Sequence, residues 1–178
     1  IDGDGDMDIV TASREDDTIS WYENNGAADP SFTAADIATN ADYAHGIFAA
    51  DMDGDGDIDI ISASETDDKI AWYENNGAAD PTFAYASIAT TADEASDIQV
   101  ADVDGDGDID VFMNAVLYFN DGNGVFDIVG LNQKVVDYPC CAPSKEKVDK
   151  THAHASTIGD YNNDGIDDLV ILWSALAS

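Results

Sequence analysis

Basic residues are scarce: six Lys or Arg stand against 38 Asp or Glu in 178 residues, a formal net charge of -32. Nucleic acid and anionic membrane surfaces both attract proteins through a basic patch, so neither is an expected partner. Cysteine is nearly absent too, with Cys140 and Cys141 the only two. Neighbouring cysteines bridge each other only through a strained ring, which leaves free thiols or bonds to cysteines outside this segment. No apolar run approaches the ~20 residues of a membrane span, and the longest, Leu169 to Trp173, is strand-sized. An initiator Met is missing, as is a basic stretch followed by an apolar one, so the chain reads as a mature segment or a fragment. It holds no Asn-x-Ser/Thr acceptor, nucleophile elbow, His-Glu-x-x-His helix, phosphate-cradling glycine loop or zinc-ligand spacing, so catalysis is not expected. Apolar residues make up 44% of the chain, enough for a core despite the charge.

What the chain has in abundance is Asp, and it comes in clusters. Acids stand at 2, 4, 6 and 8, at 51, 53, 55, 57 and 59, at 102, 104, 106, 108 and 110, and at 160, 164, 167 and 168. Like charges packed within a few residues cost several kcal/mol by Coulomb repulsion unless a cation sits among them. The clusters mark a repeat. Asp2-Gly3-Asp4-Gly5-Asp6 recurs from Asp53 and again from Asp104, a period of 51 both times, and residues 2–30 match residues 53–81 at 22 of 29 positions. A looser copy, Asp160 to Asp168, follows at a longer interval. The third unit is shortened at the tip corresponding to Glu65–Lys69 and then gains an irregular stretch around 136–150.

Within one unit, four segments are rich in β-branched, aromatic and small apolar residues: His45–Ala50, Ile58–Ala63, Lys69–Glu74 and Phe83–Ala89. Turn residues separate them: the Asp/Gly loop, Glu65–Asp68, and Asn75-Asn76-Gly77 through Pro81. Four strands per repeat make a β-propeller-type blade, and consecutive apolar residues such as Ile60-Ile61 suit a sheet covered on both faces. The fold expected is therefore all-β, about 3.5 repeats of 51 residues. Residues 1–43 form a partial first blade, 44–95 the second, 96–150 the third with its insertion, and 151–178 a partial fourth.

The acid loops read D-x-D-G-D-G-x-x-D, complete at Asp51–Asp59 and Asp102–Asp110. Side chains at loop positions 1, 3 and 5 converge on one ion, position 7 adds a backbone carbonyl, and the Asp at position 9 closes the shell. Gly at positions 4 and 6 permits turns that a Cβ resists. All donors are hard oxygens, which favours Ca²⁺ over Zn²⁺ or Cu²⁺, and Mg²⁺ is disfavoured by its strict octahedral demand. An EF-hand is excluded, because its twelfth position must be Glu and is Ser62 or Met113 here, between Ile- and Val-rich flanks rather than helices.

The Asp loops between apolar strands, the Trp72-Tyr73-Glu74-Asn75-Asn76-Gly77 segment with its copy from Trp21, and Asn120-Asp121-Gly122-Asn123-Gly124-Val125-Phe126 together resemble FG-GAP/VCBS repeats of integrin-α-like propellers. The resemblance leaves out only residues 127–150. It implies Ca²⁺ in the loop between a blade's first and second strands. The implied side-chain ligands are Asp51, Asp53, Asp55 and Asp59; Asp102, Asp104, Asp106 and Asp110; and Asp160, Asn162, Asp164 and Asp168. Asp57, Asp108 and Ile166 would add backbone oxygens. The first loop begins after its own position 1, leaving Asp2, Asp4 and Asp8 with Asp6 as carbonyl donor: three complete sites and one truncated. By the same resemblance the segment is part of a larger, seven-bladed propeller, or else an array of chains assembling through exposed blade edges.

The expected function is a calcium-stabilised extracellular structural or adhesion module without catalysis, secreted or at the cell surface, where sites of modest affinity stay loaded. Its partners would be a protein or glycan, or further copies through blade edges. Alternatives are a carbohydrate-binding propeller, the propeller of a secreted polysaccharide lyase, and a subunit of an extracellular filament. A lyase acting on uronate polymers needs cations at the substrate, and only Lys145, Lys147 and Lys150 cluster. Trp21, Trp72 and Tyr118 recur at fixed repeat positions, which assigns them to blade packing rather than sugar stacking. His152 and His154 alternate and would share a strand face, and His45 holds the corresponding place in an earlier unit, which makes these structural positions.

Overall fold

The computed structural model describes residues 1–114, 116–130, 153–159, 161 and 168–173. Among them there is no helix. Thirteen antiparallel strands form four sheets, each a meander in chain order. The first sheet holds β1 (Ile9–Ser13), β2 (Thr18–Asn24) and β3 (Phe32–Ala38). The second holds β4 (Ala44–Ala50), β5 (Asp59–Ser64), β6 (Lys69–Asn75) and β7 (Phe83–Ala89). The third holds β8 (Ile98–Ala101), β9 (Asp110–Met113), β10 (Val116–Asn120) and β11 (Phe126–Gly130). The fourth pairs β12 (Ala153–Gly159) with β13 (Asp168–Trp173). The strands of the second sheet fall within a residue of those read from the sequence. The shortened third tip appears as a β9–β10 connection of two residues, where β5–β6 has four.

The second sheet is covered on both faces, which accounts for its unbroken apolar runs. Successive side chains on a strand point to opposite faces. Ile60 pairs with Tyr73 and Ile61 with Trp72 in register. Ile60, Ala71 and Tyr73 pack with Ile19, Ala41 and Ala44 toward the first sheet. Ile61, Ile70 and Trp72 pack with Ile98, Val111, Met113 and Tyr118 of the third. Every residue of β5 is buried, and each fully buried Ile side chain contributes about 1.5–3 kcal/mol. By contrast β3 and β11, the last strands of the first and third sheets, are largely exposed, and β7, the last of the second, is exposed at Ala84, Tyr85 and Ser87 but buried at Ile88 and Ala89. First strands are neighbours from sheet to sheet: β4 lies beside β8 and β8 beside β12.

Trp21, Trp72 and Tyr118 are each about 5% exposed or less, so the packing assignment holds and none is a sugar platform. Trp72 meets the third sheet at Gly124, where a Cβ would lie 2.6 Å from the ring and φ is +74°. An L side chain strains this backbone and has no space there. Gly124→Ala should therefore lower stability by about 1–3 kcal/mol, read as a shifted denaturation midpoint, whereas Gly130→Ala, with open space around it, should change it little. His45 donates through Nδ1 to the Ser96 carbonyl at 3.0 Å, a link from β4 to the entry of β8, so it serves packing. His152 and the 136–150 stretch with both cysteines lie outside the described residues, as does the side chain of His154.

Candidate metal centre

The β4–β5 and β8–β9 connections carry the two complete acid loops, and the fourth copy runs between β12 and β13. In the second loop the carboxylates of Asp51, Asp53 and Asp55 come together, in the third those of Asp102, Asp104 and Asp106, with ligand atoms of each trio within 4.8 Å of one another. Local hydrogen bonds build this shape. Asp51 Oδ1 and Oδ2 accept from the amides of Gly54 (2.8 Å) and Gly56 (3.0 Å), and Asp102 does the same with Gly105 and Gly107. Asp53 then accepts from the Asp55 amide and Asp55 from the Asp57 amide, so each acid folds the chain toward the next. Gly54 and Gly56 stand at φ +75° and +96°, which only glycine adopts without strain.

The ninth position is a buried clip. Asp59 is 1% exposed, accepting from Met52 N–H at 3.1 Å through Oδ2 and from Asn75 N–H at 2.7 Å through Oδ1. Asp110 repeats this with Val103 (2.8 Å) and Asn120 (2.9 Å). Asp8 repeats it with the Ile1 nitrogen (3.0 Å) and Asn24 (2.9 Å). In the second and third sheets this ties the start of the acid loop to the end of the sheet's third strand, and in the first sheet to the end of β2. Each oxygen still has a lone pair free for a cation.

Burial pushes Asp59 and Asp110 up to about 6, against the lowering effect of their two amides. Asp53 and Asp104 are raised by burial, with the flanking Asp55 and Asp51, or Asp106 and Asp102, acting the same way. The two basic residues in the first 130 are elsewhere: Arg14 pairs with Glu65 and Lys69 with Asp67, at strand tips. Oxygen-only donors, convergent carboxylates and no basic side chain among the described residues to neutralise them fit a hard divalent cation.

The position-7 acids Asp6, Asp57 and Asp108 turn their carboxylates against Gly26, Gly77 and Gly122, where a Cβ would overlap them. Asp2 and Asp4 of the first loop keep the turn bonds, with Asp4 N–H donating to Asp2 and Asp6 N–H to Asp4. Asp160, Asn162, Asp164 and Ile166 lie outside the described residues, and Asp168 is described only as the first residue of β13.

Asn75 and Asn120 emerge as functional positions that the sequence presents only as turn residues. Asn120, 3% exposed, donates through Nδ2 to Ile109 O at 3.1 Å and to Met52 O of the preceding loop at 2.6 Å, and accepts from Gly122 N–H at 3.1 Å. Asn75 makes the same set with Ile58 O, Ile1 O and Gly77 N–H. The available signal was recurrence: Asn24, Asn75 and Asn120 each end the second strand after an acid loop, two residues before a glycine.

The model of the FG-GAP-like repeat matches residues 1–62 and 51–113, well over half of the chain. Each match begins at an acid loop and runs through the next one into the strand that follows it. No curated protein and no solved structure gives a match.

Proposed function

Because this chain belongs to the FG-GAP-like repeat family, we propose that it is a calcium-stabilised, β-propeller-type structural or adhesion module of a secreted or cell-surface protein, without catalysis of its own. The observation that carries this reading is the pair of convergent carboxylate trios at equivalent places in two successive sheets. Asp51, Asp53, Asp55 and Asp59, with the Asp57 carbonyl, would hold one ion, and Asp102, Asp104, Asp106 and Asp110, with the Asp108 carbonyl, another. The bound ion supplies positive charge that replaces repulsion within the loop by coordination. The protein's own residues preset the loop: Asp51 and Asp102 fold it, and Asp59 and Asp110 anchor it to the sheet. Stacked sheets with adjacent first strands support the propeller reading, and an extracellular setting keeps sites of about 10⁻⁴ to 10⁻³ M loaded. The partner would be a protein or glycan at the cell surface.

Calorimetric titration with Ca²⁺ tests it. Binding at millimolar Ca²⁺ should be diminished by Asp51→Asn and again by adding Asp102→Asn, and a flat titration of the unaltered protein would remove the proposal.

Acid should weaken binding. Asp59 and Asp110 titrate near 6 in the fold against an ordinary 3.8. The calcium-free fold therefore gains from their protonated form below 3.8 and loses that gain as pH rises through 6, about 3 kcal/mol for each. Calcium favours the ionised form, so its affinity moves oppositely. The gap in melting temperature between calcium-loaded and calcium-free protein should widen from pH 5 to pH 7.5, and a gap independent of pH would contradict this assignment.

A glycan-binding reading has one observation in its favour. Tyr85 is 58% exposed and stands edge-on to Tyr73, 5.9 Å between ring centres. It borders a cleft of about 310 Å³ shared with Phe83, Thr39 and Asn40. Exposed aromatics beside polar groups suit sugar rings. Glycan-array binding lost in Tyr85→Ala would establish that reading.

A further inference from the structure

We infer that Asn120 couples cation binding in the second acid loop to that in the third, so that filling one loop tightens the other. The inference rests on the calcium reading above. Met52 lies between the ligand positions Asp51 and Asp53, and its carbonyl accepts the shortest bond that Asn120 makes, 2.6 Å. The Asn120 backbone N–H holds Asp110, whose other oxygen holds the amide of Val103, between Asp102 and Asp104. One buried residue thus touches both loops: its side chain holds the carbonyls of Met52 and Ile109, each next to a ligand position, and its backbone N–H holds the Asp110 carboxylate. Met52 is itself held twice, by its amide to Asp59 and by its side chain in the core shared with the third sheet.

The same connection recurs one unit earlier. Asn75 donates to Ile1 O of the first loop at 2.9 Å and holds Asp59 of the second. Two occurrences at the same unit position make the link a property of the repeat rather than of one contact. Ordering the second loop around an ion fixes the Met52 carbonyl and hence Asn120. The third loop then binds with less ordering still to be done, which is positive coupling, and linkage makes it reciprocal. Direct Coulomb interaction between two bound dications acts in the opposite sense, so a positive sign distinguishes the hydrogen-bonded route.

Amide NMR of the full chain titrated with Ca²⁺ alone tests the inference, with Gly105 and Gly107 reporting on the third loop and Gly54 and Gly56 on the second. Asp53→Asn combined with Asp55→Asn empties the second loop. The two lost negative charges match the two positive charges of the missing ion, so the net charge equals that of the loaded loop. The third loop's midpoint should move to about 5-fold higher Ca²⁺ or more. The shift should shrink in an Asn120→Ala background, whereas a merely local role for Asn120 would weaken the third loop and leave its dependence on the second intact. That intact dependence overturns the assignment to Asn120, and an unmoved midpoint in the otherwise unaltered chain overturns coupling altogether without requiring that Asn120→Ala fold. If no resonance of either loop responds at millimolar Ca²⁺, the calcium reading fails and the coupling with it.

Discussion

Stripping calcium with EGTA at neutral pH is expected to lower the melting temperature by roughly 10 °C. A ligand that binds only the folded state adds RT ln(1 + [L]/Kd), about 1.4–2.7 kcal/mol per site when its concentration is 10 to 100 times Kd. With affinities near 10⁻⁴ to 10⁻³ M, 10 mM Ca²⁺ reaches that range. The two sites with described carboxylate trios, Asp51/Asp53/Asp55 and Asp102/Asp104/Asp106, together add about 3–5 kcal/mol. For a domain of this size 1 kcal/mol moves the midpoint by about 2–4 °C. Mg²⁺ at the same concentration should restore little, because it keeps its waters and tolerates only octahedral geometry. The measurement is a thermal melt by circular dichroism with calcium, with EGTA, and with EGTA followed by excess calcium. Identical melts in all three would leave the acid loops without a stabilising ion. Asp51→Asn with Asp102→Asn should remove most of the calcium-dependent shift and move the melting point of the calcium-free protein little, since the repulsion each relieves is offset by the loss of one of its two turn acceptors.

The second large effect is expected from Asn120→Ala, a loss of about 3–5 kcal/mol. The substitution leaves the Met52 and Ile109 carbonyls and the Gly122 amide without the partner they have now. Each buried group left unsatisfied costs about 1–3 kcal/mol. Asn76→Ala is the control: Asn76 is exposed, its Nδ2 bonds Thr82 Oγ1 and its Oδ1 accepts from the amides of Ala78 and Thr82, and water replaces these exposed bonds. It should cost less than about 1 kcal/mol. Urea denaturation of both variants in EGTA separates the effect from metal binding. Equal midpoints for the two would show that the buried Asn does not join the sheets.

The acid loops and the strands of each repeat were legible in the sequence because both depend on local rules. Alternate Asp with glycine at positions needing positive φ defines a loop that folds on its own amides, as Asp51 does on Gly54 and Gly56. Ile60-Ile61 foretold a sheet with two buried faces because side chains alternate across a strand whatever lies beyond it. The recurrence of Trp21 and Trp72 separated packing from sugar stacking, since a binding platform has no reason to repeat with the core period. The position-9 acids were legible only as acids. That Asp59 and Asp110 are buried clips, each accepting two amides from residues up to 16 positions away, depends on where the third strand ends relative to the loop.

Asn75 and Asn120 mark the other boundary. An Asn followed by Asn-Gly or Asp-Gly reads as a turn, and both do open turns, with Oδ1 accepting from Gly77 and Gly122. Their second task, reaching the carbonyl of the preceding loop 74 or 68 residues away, has no local signature, because it exists only once two sheets are stacked. The sequence alone determined the repeat, the strands within each unit and the acid loops with their chemistry, all set by interactions within a few tens of residues. Tertiary structure decided which face of each sheet meets which neighbour, which acids are buried, and that the loops are joined through Asn side chains, because these depend on distances between units that no periodicity encodes.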